Sequence, residues 1–181
     1  FMGGWDVLWN FADTLVNERE ASGLVDDDSL LDALIAAHRA GQLDATELRF
    51  MLLTVAVAGY DTSKNQLSVT MHLLLDHPDI YARCAEDLPY CRQVIEESLR
   101  HTAIATPFRQ VGRDFEYAGF RFGAGDTIVL APPLANRDPT MFPDPGTFDP
   151  ERDNVGRQVA FGRGEHICLG QHIARNQLQE G

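Results

Sequence analysis

Phe161-Gly162-Arg163-Gly164-Glu165-His166-Ile167-Cys168-Leu169-Gly170 is the stretch on which the reading of this chain turns. Three glycines and one cysteine in ten residues, followed by a periodic run from Leu169 to Leu178, predict a tight loop feeding a helix. Glycine accepts positive φ and lets a flat partner approach the backbone closely. A cysteine where a loop enters a helix is expected to ionise more readily, because the N-terminal N–H groups favour negative charge. Such a thiolate can ligate a metal. Taken alone, a single Cys reads better as a small buried hydrophobe.

The neighbours of Cys168 decide between the two. Phe161, Gly164, Cys168 and Gly170 fill every fixed position of Phe-x-x-Gly-x-x-x-Cys-x-Gly, so the stretch resembles the signature of the cytochrome P-450 family, the haem-thiolate monooxygenases. The resemblance implies that Cys168 is the axial ligand of a haem b (iron protoporphyrin IX). It also implies that Phe161 packs near the sulfur and that Gly162, Gly164 and Gly170 turn the chain under the porphyrin. The fold it implies is mainly α with a small β-sheet. Family members are more than twice this long, so the expectation is one partial domain, 1–181, matching a C-terminal-half fragment. Both ends, Phe1 and Glu180-Gly181, look cut.

Bulk composition agrees. A length of 181 residues suits one domain, and 44% apolar residues support a sizeable core. The net charge of −12 speaks against a nucleic-acid partner. Three cysteines without a Cys-x-x-Cys pair indicate neither a disulfide framework nor a zinc site, and fit a reduced, cytoplasmic setting. The longest apolar run, Met51 to Gly59, is too short to span a bilayer, so no membrane partner is expected.

Trp5, Leu8, Ala12, Leu15 and Val16 recur at helical spacing and predict a first helix ending near Gly23. Asp26 to Asp28 with Ser29 form a cap cluster for a second, Leu30 to Arg39, closed by Gly41. Asp44-Ala45-Thr46-Glu47 reads as a capping box opening a helix of about Ala45 to His77, ~50 Å long. Its middle is apolar on all sides, the mark of a helix buried within a larger protein. Short helices follow at Pro78 to Glu86 and Tyr90 to His101. Strands are expected over Arg113 to Ala118, Phe120 to Phe122 and Thr127 to Leu130, within a small sheet at about 113–131. Pro132 to Asp153 reads as a long loop, continuing to 160 before the cysteine loop.

Three further groups carry chemistry. Ala58-Gly59-Tyr60-Asp61-Thr62-Ser63 interrupts the apolar helix with a Gly and an Asp, both costly there; such local conflicts mark functional sites or kinks. A Thr after the Asp can open the helix locally to water. The segment resembles the family's oxygen-activation motif. That implies room for dioxygen at Ala58 and Gly59, a hydrogen-bond donor to it in Thr62, and a proton relay in Asp61. Glu97-x-x-Arg100 resembles the family's Glu-x-x-Arg, which implies a third member, Arg152, locking the loop that carries Cys168. Arg109 and His166 resemble donors to the haem propionates. A His-x-Cys metal site without haem lacks two further ligands.

The activity implied is insertion of one oxygen atom into an apolar small-molecule substrate, with electrons from a ferredoxin and its reductase. The alternatives are a peroxide-using or isomerising haem-thiolate enzyme, and a truncated, non-catalytic product without stable haem.

Overall fold

The computed structural model describes residues 2–23 and 29–181. Helix α1 spans Met2–Ala21, and Gly23, at φ +62°, turns the chain out of it. Helix α2 spans Leu30–Arg39, capped by the Ser29 hydroxyl accepting from Asp32 N. The expected Asp26–Asp28 part of that cap lies outside the described residues. Gly41, at φ +72°, closes the helix as its N–H donates to the His38 carbonyl.

Helix α3 spans Ala45–Leu75 and opens on the predicted box. Asp44 Oδ1 accepts from the Thr46 and Glu47 amides, and Glu47 Oε2 accepts from the Asp44 amide at 2.8 Å. The helix runs continuously through Gly59–Ser63. It stops two residues before His77, because a residue preceding proline is driven out of the helical region; His77 sits at φ −132°, ψ 68°. Among the described residues no helix is long and apolar enough to cross a membrane.

Backbone packing divides the chain inside α3 into two compact units, Phe1–Asp61 and Thr62–Gly181. In the first, Trp9 meets Phe50 edge-on at 5.2 Å and Arg49 pairs with Asp13. The apolar middle of α3 is left open: Val57 is 56% and Tyr60 71% exposed.

The second unit is organised on α5. Helix α4, Pro78–Glu86, precedes it. Helix α5 spans Leu88–His101 and starts earlier than periodicity indicates, because Asp87 caps it and Pro89 fits its first turn. Its apolar residues serve two clusters, Tyr90 and Val94 with Leu74 and Phe148, and Cys91, Ile95 and Leu99 with Leu178.

Between these clusters α5 buries charge. Glu97 and Arg100 have no exposed surface. Arg100 Nε and Nη2 donate to Glu97 Oε2 and Oε1 at 2.8 and 2.6 Å. The Asp149 amide donates to Oε1 at 2.9 Å, and Arg152 Nε lies 3.5 Å from it. Arg100 also donates to the carbonyls of Asn136, Pro145 and Thr147, and Arg152 to those of Pro143, Asp144 and Thr147. The trio of Glu97, Arg100 and Arg152 therefore forms, and it staples segment 136–152 to α5.

The strands differ from expectation. Strands β1, Phe108–Gln110, and β4, Thr127–Val129, pair antiparallel. Strands β2, Phe115–Tyr117, and β3, Phe120–Phe122, form a separate hairpin. Ala118 and Gly119 turn it at φ +51° and +80°, the sign a tight hairpin requires. The sheet is thus two ribbons among the described residues, and β1 was not anticipated. Three residues after Pro107 carry no alternation signal, and their partner lies far along the chain. Pro132–Ala135 forms a short helix, α6, where an irregular loop was expected. Its proline start suits a first turn whose N–H has no partner. Helix α7 spans Gln171–Glu180.

Removing one member of a buried charged set strands the others, at a cost of about 3–5 kcal/mol. Glu97→Ala is expected to lose that much in urea unfolding of the full-length protein and to yield little haem-loaded material. Unchanged stability and haem content would show that the staple is dispensable.

Candidate active site

The loop from Gln158 to Gly170 is shaped by its own backbone and by α5. Gln158 Nε2 donates to Glu96 Oε2 at 3.1 Å, and its Oε1 accepts the Ala160 amide at 2.6 Å. Asn136, fully buried, accepts the Val159 amide on its Oδ1 at 2.8 Å. The Gly162 amide then closes a turn on the Val159 carbonyl at 2.9 Å. Gly162 and Gly164 sit at φ +72° and +76°, which other residues enter only with strain. Gly170, at φ −82°, needs no such freedom.

These turns bring Cys168 back beside Phe161, whose carbonyl accepts the Cys168 amide at 2.8 Å. The Arg175 guanidinium of α7 lies over the Phe161 ring at 4.6 Å and pairs with Glu96 of α5. Both ends of the loop are thereby referred to the same helix.

The Cys168 thiol is exposed and opens into a cleft of about 800 Å³. Thr62, Arg109, Phe161, Gly162 and His166 line the same cleft, which gathers these sequence-predicted residues in one place. Arg109 does not precede the strands but sits in β1, between Phe108 and Gln110. Gly164 directs the loop without lining the cleft. Ala58, Gly59 and Asp61 lie on the α3 segment of the first unit, all exposed.

Much of the cleft wall was not singled out from the sequence. It includes Gln66, the extended run Ile104 to Phe108, and Val129 to Ala131. The available signal was weak: Thr106-Pro107 ends the helical periodicity, and nothing in the composition says what such a run faces.

A cleft of this size and mainly aliphatic lining suits a cofactor or small organic molecule. Its charged and metal-binding groups are one accessible thiol, Cys168, two guanidiniums, Arg109 and Arg163, and the His166 imidazole. That combination fits an iron porphyrin, which has apolar faces, an iron that a thiolate can ligate and two carboxylates at its edge. Among the described residues no group of three or more His, Cys, Asp or Glu could hold a bare metal ion.

A family model for cytochrome P450 matches residues 2–180. Over 159 residues the chain is 40% identical to a cytochrome P450 140 sequence of Mycobacterium tuberculosis, covering 85% of this chain and 36% of that one. It is 36% identical over 175 residues to the luteothin monooxygenase of Streptomyces thioluteus, covering 96% of this chain and 43% of the relative. The tirandamycin C-bound P450 monooxygenase TamI superposes with a TM-score of 0.81 at 30% identity, over 96% of this chain and 44% of that structure. The chain thus spans less than half the length of these relatives.

Thiol accessibility follows directly from the geometry. Burial, with the neighbouring Cys91 adding to it, pushes the Cys84 thiol up to about 11, and Cys91 is itself buried. Iodoacetamide at neutral pH is expected to modify Cys168 first, and added haemin to slow that reaction while leaving Cys84 and Cys91 unaffected. Peptide mapping by mass spectrometry reads the order. Equal labelling of all three thiols, or no protection by haemin, would contradict the placement of Cys168.

Proposed function

This chain belongs to the cytochrome P450 family, and on that premise we propose that it forms the thiolate side of a haem-dependent monooxygenase. The whole protein would insert one atom of dioxygen into an apolar organic substrate and release the other as water. The observation that carries this reading is the exposed Cys168 thiol opening into a mainly aliphatic cleft with Thr62, Arg109 and His166 on its walls.

When bound, a thiolate-ligated haem b supplies one-electron and dioxygen chemistry, with electron donation from sulfur favouring O–O cleavage. The residues of this chain do the rest. Cys168 would hold the iron, on a loop that turns at Gly162 and Gly164 and leaves this cysteine exposed. Arg109 and His166 donate hydrogen bonds to the propionates, for which a forked guanidinium is well suited. Phe161 and Gly162 present a flat, uncrowded surface to the porphyrin. By the resemblance of their motif, Ala58 and Gly59 would leave room for dioxygen, Thr62 would donate a hydrogen bond toward it, and Asp61 would bring protons from solvent. Ile104, Ala105, Val129 and Leu130, lining the cleft, hold the substrate and exclude water.

Electrons would come from a ferredoxin and its reductase in the cytoplasm, by analogy with bacterial relatives. An intact Asp61-Thr62 pair supports dioxygen rather than peroxide as oxidant, since peroxide already carries the two electrons a ferredoxin would supply and the protons such a relay would deliver.

Two measurements on the full-length enzyme test the reading. Cys168→Ala should lose the absorption band of the reduced, CO-bound, thiolate-ligated haem; retention of that band would remove Cys168 as the ligand. Thr62→Ala should still consume reductant while releasing more peroxide and less product. Unchanged coupling of electrons to product would take Thr62 out of proton delivery.

A further inference from the structure

Neither the cysteine loop nor the Glu97 staple uses a third buried polar group in the second unit. Gln66 and Thr70 of α3 are 4% and 1% exposed, and Ser98 of α5 is fully buried. Gln66 Nε2 donates to Ser98 Oγ at 3.3 Å, and the Ser98 and Thr70 hydroxyls lie 2.5 Å apart. Thr70 Oγ1 donates in turn to the Gln66 carbonyl at 2.9 Å. With that proton committed, Ser98 must be the donor to Thr70. The bonds then run from the Gln66 side chain through Ser98 and Thr70 back to the Gln66 backbone.

The ring is closed. It begins and ends on one residue, so it has no outlet through which to pass a proton, and its contribution is geometric. A buried ring of this kind tolerates only one register, because any slip leaves a desolvated donor unpaired.

Gln66 also lines the cleft, as do Thr62 and Ser63. Residues four apart on a helix share a face, so Gln66 stands one turn from Thr62 on the same side of α3. Ser63 donates to Gln177 Oε1 of α7 at 2.7 Å, but that bond is exposed and water competes for both groups. Of these two constraints on the turn, the buried ring is the stronger.

We propose that Gln66 is a positioning residue: through its ring with Ser98 and Thr70 it sets the register of the Thr62 turn, and so the placement of the Thr62 hydroxyl in the cleft. The proposal rests on the reading of Thr62 as a proton-delivery residue. It separates cleanly from a merely stabilising role. Replacing Gln66 by an apolar residue leaves Ser98 and Thr70 bonded to each other, so the two helices stay paired and stability is retained, while the turn nearer Thr62 loses its own tie from Gln66 to Ser98.

The test compares Gln66→Leu, Ser98→Ala, the double variant and Thr62→Ala in the haem-loaded full-length protein. The readouts are product formed per reductant consumed, amide hydrogen exchange across 62–66, haem content and thermal midpoint. Gln66→Leu is expected to lower coupling roughly tenfold, within what small misplacements cost, and to speed exchange across 62–66. Haem content and thermal midpoint should hold. Ser98→Ala should lower coupling and speed exchange alike but also lower the thermal midpoint, because it leaves the buried Gln66 amide without its acceptor; the double variant should couple no worse than either, as for residues acting as one unit. If Gln66→Leu yields no loaded protein, Gln66→Met removes the donor at similar volume and takes its place. Normal coupling and exchange in the Gln66 variants, beside an uncoupled Thr62→Ala, would overturn this inference alone. Normal coupling in Thr62→Ala would overturn the reading beneath it, and this inference with it.

Discussion

Glu97 is a carboxylate with no exposed surface, and a charge in that position is tenable only if it is fully paired. Its two oxygens receive a bidentate Arg100, the Asp149 amide and the nearby Arg152 guanidinium. The requirement then spreads outward. Arg100 and Arg152 have donors left over, and these capture the carbonyls of Asn136, Pro143, Asp144, Pro145 and Thr147. A segment of little regular structure thereby acquires a defined path without a sheet or long helix to hold it. Isolated surface ion pairs contribute little to stability; this one matters because breaking it leaves desolvated charge.

The cysteine loop inherits that order. Asn136 sits on the stapled segment and accepts the Val159 amide, while Glu96, beside Glu97 on α5, binds both Gln158 and Arg175. The thiol is therefore positioned at second hand, through α5, and its own neighbourhood stays open. Rigid support behind the loop and free surface in front of it are what a ligand for a large flat cofactor requires.

The long helix α3 meets a different demand. Its apolar residues around Val57 and Tyr60 are exposed in this chain, whereas its continuation carries the closed ring of Gln66, Ser98 and Thr70. A uniformly apolar helix can slide or rotate against its neighbours at little cost. A few satisfied buried polar groups remove that freedom, since each alternative register strands a donor.

The sequence by itself determined the local elements and which of the three cysteines the family signature singles out. Asp44 and Glu47 at cap spacing, Pro78 and Pro89 at helix starts, and positive-φ glycines around Cys168 each act through the nearest few residues, so their consequences are readable in order along the chain. Local steric rules also explain why helix starts were placed better than strands. β1 is three residues long and acquires its meaning only from Thr127–Val129, a partner that no local pattern names. The resemblance to a known family added Arg152 to Glu97 and Arg100, a grouping of residues up to 55 positions apart that spacing alone would not reveal. Only the tertiary structure decided which residues share the cleft with Cys168. It placed Ile104 to Phe108 and Gln66 there, and it closed the Gln66 ring across two helices. The reason is physical: a cleft wall and a buried hydrogen-bond ring are properties of the space between elements, and that space exists only once the helices have packed.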